Sequence, residues 1–401
     1  KLFFSNKKDK FNKKNFLIHT SSINLENKKK IQLNYFPRLN DFIFDKIHYV
    51  LISKLSFIKK ILKLREYKEN NIIIIEEYIS IYEFFTNIKN FIISTFAILK
   101  LENFKDYNIK HLLEFEFFQA LSSPSLNFQF WSYFNLIKKI DKEIDELIII
   151  DHYENMISEH AMICACKQKK LNSKIKIIGY HHTLSSNEFL PWHSTTEEWQ
   201  SNYKPDFLVS NGKISEQFLI DRGNSSQNIV NGPALRYEKL ISKNLTNPKK
   251  HFDKKSIFVP LSQIRDHNLE LLNKVFDLNN LLGDEYFNFF IRPHPNLEIE
   301  NFFLDKINSK ENDNIQISQL NISELMDKCL ICLSMSTGAV YDAIINGNIV
   351  INIDSELNYC DNYLDFVVDK FEFLKTRSLE ETLILLEKLK IDENCKKNLE
   401  D

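Results

Sequence analysis

The sequence predicts an α/β protein made of two doubly wound parallel sheets. Three observations carry this. Continuous apolar runs such as Leu147-Ile148-Ile149-Ile150 and Ile349-Val350-Ile351 read as strands buried on both faces, as in parallel sheets. From residue 146 to residue 353 such runs alternate with helical stretches. At 401 residues the chain is long enough for two domains, each with its own core.

Residues 1–70 are read as a basic helical flank. Asp41 to Leu64 alternates Phe, Ile and Leu with Lys at helical spacing, which predicts an amphipathic helix. A first Rossmann-like domain is expected over 71–240. It starts with a strand at Asn71–Ile75, followed by helices near 80–102, 107–121 and 127–140, with a turn at Ser122–Ser125. The strand at Glu146–Ile150 ends in Asp151-His152-Tyr153-Glu154-Asn155, and a helix follows to about 170. The strand from Lys174 to Gly179 ends in Tyr180-His181-His182-Thr183. Residues 184–204, with Trp192 and Trp199, are long for a connection and read as a functional lid. Strands at 206–210 and 228–233 complete the domain, the second reaching Gly232 and Pro233. The polar residues 236–253 read as a linker.

The second domain is expected over 241–375. Strands near 256–262, 286–291, 314–318, 329–333 and 349–353 alternate with helices near 266–282, 297–309, 322–328 and 337–346. Residues 376–401 are read as a C-terminal helix packing back across the domain junction.

Composition narrows the classes. With 43% apolar and 26% charged residues the chain is globular. Its net charge of −2 is uneven: residues 1–70 hold 17 Lys and Arg against 6 Asp and Glu, so the remaining chain is acidic. The basic leader suits either an anionic membrane surface or a solvated flank on the first domain. An acidic body without a basic, aromatic-interleaved stripe speaks against nucleic-acid binding. Of six cysteines, Cys329 and Cys332 lie in an apolar strand and read as core, and the set suits a reducing cytoplasm. No apolar run approaches ~18 residues, so no spanning helix is expected. No signal peptide is visible. The first residue is Lys, which points to a trimmed or incomplete start. The expected place is the cytoplasm, with the basic leader able to hold the chain on the inner face of a bacterial cytoplasmic membrane.

Two motifs in the second domain carry chemistry. In Arg292-Pro293-His294-Pro295 each of Arg292 and His294 precedes proline and is therefore extended, so the two side chains project the same way. A permanent cation beside an imidazole suits phosphate. In Ser334-Met335-Ser336-Thr337-Gly338 the strand gives way to a helix, and Ser336, Thr337 and Gly338 can offer hydroxyls and amides to an anion. Asp342 lies on that helix. Each motif also has a plainer reading, as a stiff turn and as a helix cap. Together they point to a phosphate or nucleotide site.

The tandem arrangement, with Ser334-x-Ser336-Thr337-Gly338, Asp342 and Gly347, resembles the donor domain of GT-B glycosyltransferases. Arg292-Pro293-His294-Pro295 resembles the His-Pro motif of bacterial sialyltransferases, polysialyltransferases, capsule Kdo transferases and teichoic-acid glycerophosphotransferases. Glu154-Asn155, Glu159 and Gly179-Tyr180-His181-His182-Thr183 resemble a group of bacterial surface-carbohydrate biosynthesis proteins, such as those that build capsule or lipopolysaccharide. The resemblance implies two Rossmann-type domains facing across a cleft and metal-independent transfer of a sugar, without a cofactor. The donor implied is a nucleotide-sugar, best matched by CMP-linked Kdo or a nonulosonic acid. The acceptor implied is a surface glycan, lipid-linked or protein group. Arg292, His294, Ser334, Ser336, Thr337, Gly338 and Asp342 are then expected to bind the nucleotide, with Gly232 and Gln263 near it.

The sialyltransferase base motif, an acidic pair followed by Gly, is absent. The base is therefore sought among Glu154, Asp151, His181 and His182, with His294 on the donor side. No metal ligand set is expected. Three alternatives remain open: a CDP-polyol phosphotransferase, a GT-B-fold sugar-nucleotide epimerase, and a non-catalytic scaffold.

Overall fold

A computed structural model describes residues 14–20, 23–24, 32–33, 47–51, 72–100, 103–104, 107–122, 124–183, 190–201, 203–246, 252–283, 286–295, 297–309, 313–356, 363–364 and 375–391. The chain divides into two compact units. One comprises Lys1–His182 and Pro191–Arg236, the other Thr183–Leu190 and Tyr237–Asp401.

The first unit is built on seven parallel strands: β1 (Lys14–Thr20), β4 (Ile47–Leu51), β5 (Ile72–Ile73), β8 (Glu146–His152), β9 (Lys174–Tyr180), β10 (Phe207–Asn211) and β11 (Ile229–Gly232). Their order is β11-β10-β9-β8-β1-β4-β5. Two small antiparallel ladders, β2 (Ile23–Asn24) with β3 (Gln32–Leu33) and β6 (Asn103–Phe104) with β7 (Tyr107–Asn108), stand apart. The helices are α1 (Ile81–Ile98), α2 (Lys110–Ser122), α3 (Pro124–Ile140), α4 (Ile157–Cys166), α5 (Thr196–Gln200) and α6 (Lys213–Asp221). Local chemistry sets their ends. Ser80 and Glu83 form a reciprocal capping box at the start of α1, and Pro124 occupies the first position of α3, where its missing N–H costs nothing.

The N-terminal segment corrects the sequence reading. Within the expected helical flank, Lys14–Thr20 is an interior strand paired to β8 on one side and β4 on the other. Ile47–Leu51, within the expected amphipathic helix, is also a strand. Asn-Phe-Leu-Ile-His-Thr is a strand-length apolar run, and the lysines around it hid the pattern. The other residues of that expected helix lie outside the described residues.

The second unit carries six parallel strands: β12 (Asp253–Pro260), β13 (Asn288–Arg292), β14 (Ile315–Ile317), β15 (Cys329–Ser334), β16 (Ile349–Ile353) and β17 (Lys375–Thr376), ordered β14-β13-β12-β15-β16-β17. Helices α7 (Glu238–Thr246), α8 (Arg265–Leu282), α9 (Asn301–Ile307), α10 (Ile322–Lys328), α11 (Ala339–Asn346) and α12 (Leu379–Ile391) connect and follow them. The expected linker at 236–253 holds α7 over Glu238–Thr246. Helix α12 sends Leu386 and Leu389 into the core beneath β12, β13 and β15, so it completes the second unit itself. Cys329 and Cys332 are buried in this sheet, and burial pushes the Cys329 thiol up to about 12. Gly347 ends α11 in the left-handed region at φ 87°, a conformation that favours glycine.

Candidate active site

In the first unit, titratable side chains gather at the carboxyl ends of β1, β8 and β9, where ligands bind in open parallel sheets. Register places them. His19 lies opposite Asp151, and Asp151 lies opposite Gly179. His19 Nδ1 is 3.1 Å from Asp151 Oδ1, and His19 Nε2 is 2.7 Å from the Tyr133 hydroxyl of α3. His152 directs Nδ1 to the His19 carbonyl at 3.2 Å, so that nitrogen carries the proton. Its Nε2 faces Glu159 Oε1 at 4.0 Å. His182 Nε2 meets Glu154 Oε1 at 3.1 Å.

Accessibility sorts these groups. His19, Asp151, His152, Glu159, His181 and His182 are all buried, whereas the Glu154 side chain is 31% exposed. Glu154 is the carboxylate of this group that meets solvent. Burial alone would raise its pKa. The hydrogen bond from His182, with the His182 and His152 imidazoles and the Arg236 guanidinium nearby, outweighs burial and holds it below the ordinary value. Burial in turn lowers the His182 imidazole, against the pull of Glu154. At neutral pH the pair is therefore a carboxylate accepting from a neutral ring. Glu159 behaves oppositely: burial, then the adjacent Asp151, drive its carboxyl well up. Glu154 is thus held ready to take a proton, while Glu159 tends to keep one inside the buried group.

Asp151, His152 and Glu159 bring three ligand-type atoms within 4.8 Å of one another, and these could hold a metal ion. Part of their capacity is engaged, while Asp151 Oδ2 is buried without a hydrogen-bond partner. Asp151 faces His19, and Glu159 Oε2 accepts from the Glu154 and Met156 amides at 2.9 Å each.

His181 is separated from this group. It is wholly buried, with Nδ1 2.7 Å from Ser215 Oγ, and it packs against Trp192 and Phe218. Burial lowers its pKa to about 3. Of the two adjacent histidines only His182 joins Glu154. Tyr180 and Trp192 are buried as well.

Behind Glu154 stands Asn155, in the left-handed region at φ 61°. Its Oδ1 accepts from the Tyr153 hydroxyl, from His160 Nε2 at 2.8 Å and from Lys204 Nζ at 3.2 Å. Its Nδ2 donates to the Pro191 carbonyl at 2.6 Å. The described part of the expected lid is thereby anchored. The Trp192 carbonyl accepts from Asn224 at 2.9 Å, and the Ser194 amide donates to the Arg222 carbonyl at 2.8 Å. Residues 184–189 of that loop lie outside the described residues.

In the second unit the two motifs leave the sheet on either side of β12. Pro260 lies opposite Arg292, and Phe258 lies opposite both Phe290 and Cys332. Arg292 and Ser334 therefore end their strands at the same level, two strands apart, about 10 Å at ordinary strand spacing. Arg292 is half-buried, with Nη1 3.5 Å from the Ser318 carbonyl. His294 is half-buried too, and burial lowers its pKa. Ser336 is buried at φ 52°, a left-handed non-glycine turn directly before α11. Thr337 Oγ1 accepts from the Ala339 amide at 3.4 Å, and Gly338 is the N-cap residue. Asp342 lies in the first turn of α11. Such a turn offers amides and hydroxyls to an anion.

Three further residues expected near the nucleotide have these surroundings. Ser334 is fully buried, and its hydroxyl donates to Asn352 Oδ1 at 3.2 Å, which ties β15 to β16. Gly232 belongs to the first unit, where a Cβ would overlap Val209 at 2.3 Å, so close strand packing is its role. Gln263 is exposed on the loop after β12. The sequence reading missed His19 and Tyr133. The signal for His19 was there, an apolar run ending in His-Thr; Tyr133 had none, being one aromatic among many on α3.

No family model matches the chain, and no curated protein matches it in sequence. Solved structures do match it in fold. The UDP-GlcNAc 2-epimerase of Neisseria meningitidis bound to UDP-GlcNAc superposes with a TM-score of 0.52 at 10% identity, covering 97% of this chain and 94% of that one. S. aureus MnaA in a co-structure with UDP gives 0.51 at 12% identity, covering 96% and 90%. The chain thus has a GT-B-like fold of two Rossmann-type units. These two likenesses support the fold and not the sialyltransferase and Kdo-transferase families that the His-Pro motif resembles.

Proposed function

We propose that the chain is an enzyme acting on a nucleotide-activated sugar. The anion-ready turn of the second unit, with Arg292, His294, Ser336 and Thr337, is assigned to the nucleotide phosphates, and Glu154 with His182 to proton transfer. The carrying observation is the set of carboxylates and histidines at one sheet edge of the first unit, with Glu154 kept ionised and reachable. The first reading of the reaction is sugar-nucleotide epimerisation, in which a proton is removed from a sugar carbon and returned. The fold shared with UDP-GlcNAc 2-epimerase favours it. A second reading, transfer of the sugar to an acceptor hydroxyl, is favoured by the single solvent-reaching carboxylate, since transfer needs one base. Neither proton step calls on a cofactor. The CMP-linked acidic sugar rests on the motif resemblance alone.

The test is nuclear magnetic resonance in deuterium oxide with UDP-GlcNAc, run beside thermal shift with UDP, CMP and CDP. Deuterium entering the sugar at C2 supports epimerisation. Nucleotide release from a CMP-sugar that needs an added acceptor supports transfer, and stabilisation by CDP points to polyol-phosphate transfer. A folded protein that responds to no nucleotide overturns the proposal and leaves the scaffold reading.

A further inference from the structure

Helix α1 is built inside out. Its buried side chains are the polar Asn87 and Thr95. Asn87 Oδ1 accepts from Asn135 Nδ2 of α3 at 3.2 Å. Facing outward are Ile81, Phe85, Ile92 and Phe96, with Leu99 just past the helix, all exposed. They recur every third, fourth or seventh residue along a helix about 27 Å long. A helix bathed in water does the reverse.

Helix α2 extends the surface. Leu112, Phe115 and Phe118 are exposed, and Phe117 meets Phe96 edge-on with ring centroids 5.5 Å apart. The charges around this face are mainly positive. Lys89, Lys100 and Lys110 are exposed. Glu83 is held by Lys139 at 3.0 Å, so Glu114 and Glu116 are the acids of this face that stand against the three lysines. Tyr82, 80% exposed, adds an aromatic ring with a polar tip, the type that settles at a lipid–water boundary.

We propose that the α1–α2 face docks on a lipid bilayer containing anionic headgroups, whatever reaction the chain performs. The apolar stripe enters the acyl boundary, and the lysines meet the headgroup charge. Two features favour lipid over a second protein. The buried side chains of α1 are the uncharged polar Asn87 and Thr95, as expected where the outer medium is apolar. The stripe itself offers no hydrogen-bonding groups, whereas protein interfaces carry a regular scatter of them. No described helix is long and apolar enough to cross a membrane, so the contact is a surface one.

Vesicle flotation of the full chain tests this, with phosphatidylcholine alone and with phosphatidylcholine mixed with phosphatidylglycerol. The protein is expected to float with the mixed vesicles. Phe85→Gln with Phe96→Gln should weaken partitioning at least about tenfold, because two aromatic side chains no longer leave water. Ile81→Gln with Phe115→Gln repeats the test should the first pair fail to fold. Replacing Lys89, Lys100 and Lys110 with Gln should remove the preference for the mixed vesicles. The proposal is overturned if the wild type floats with neither vesicle. It is equally overturned if both folded apolar variants float as well as wild type, which would assign docking to another surface such as the basic leader. A wild-type dimer that ignores vesicles and becomes monomeric in the variants would show that a second copy covers the face, and would also overturn it.

Discussion

Asn155→Ala is the most informative single change in the first unit. The side chain accepts from Tyr153, His160 and Lys204 and donates to the Pro191 carbonyl. Alanine ends all four bonds. At about 1 kcal/mol per net hydrogen bond, and with water replacing part of the loss at the half-buried His160, these amount to about 2–3 kcal/mol. The backbone adds to this. Asn155 sits at φ 61°, where alanine costs about 1 kcal/mol more than asparagine. The expected loss is about 3–4 kcal/mol, large for one half-buried side chain. Trp131, Trp192 and Trp199 are the three tryptophans of the chain and all belong to the first unit, so tryptophan fluorescence in a urea titration follows that unit alone. Asn155→Gly loses the same bonds but tolerates the backbone, and it should be the milder change. A loss below about 1 kcal/mol for Asn155→Ala would refute the claim that this residue fixes the loop bearing Glu154.

Glu154→Gln should lower turnover by roughly a hundredfold or more while leaving nucleotide affinity intact, as loss of a general base does; kinetics beside calorimetry would check it. Arg292→Ala and His294→Ala should each weaken nucleotide binding about tenfold or more with the melting temperature retained, read by calorimetry. Acid should destabilise the first unit. The folded-state pKa of His181 is about 3 against an ordinary 6.5, so the unfolded state binds the extra proton between those values and stability falls with pH across that window. From pH 6.5 to 5 this is about 2 kcal/mol from His181, and His181→Phe should flatten that slope in tryptophan-detected unfolding. Gly179→Ala places a Cβ 2.9 Å from Leu208 and 3.0 Å from Tyr153. It should cost about 1–3 kcal/mol by overpacking, measured in the same titration.

The strand–helix alternation was legible because parallel strands buried on both faces are apolar throughout. Ile322–Lys328 and Ile349–Ile353 have the boundaries read from sequence. The units divide at Arg236–Tyr237, where the expected linker begins, but α7 within it went unread because its Lys and Asn content looks like a loop. The outward stripe of α1 was invisible for a different reason. Periodicity shows that one face is apolar without showing which face turns inward, and there the usual rule is reversed. Of the site, Glu154, His182, Asp151 and the Arg292 and Ser336 turns announced themselves by standing just past apolar runs. The separation of His181 from His182 followed from which side of β9 each leaves, and adjacency in sequence does not disclose that.

The place of β1 in the sheet bears on how the chain is made. Its His19 is matched with Asp151, 132 residues later. At roughly 5–20 residues per second a ribosome needs about 7–26 seconds to deliver that partner. Until then Asn15-Phe16-Leu17-Ile18 can find one flanking strand, β4, and presents its other edge. That interval is the chain's opportunity to pair with a neighbour on the same polysome, and a chaperone that covers this edge should raise the soluble yield.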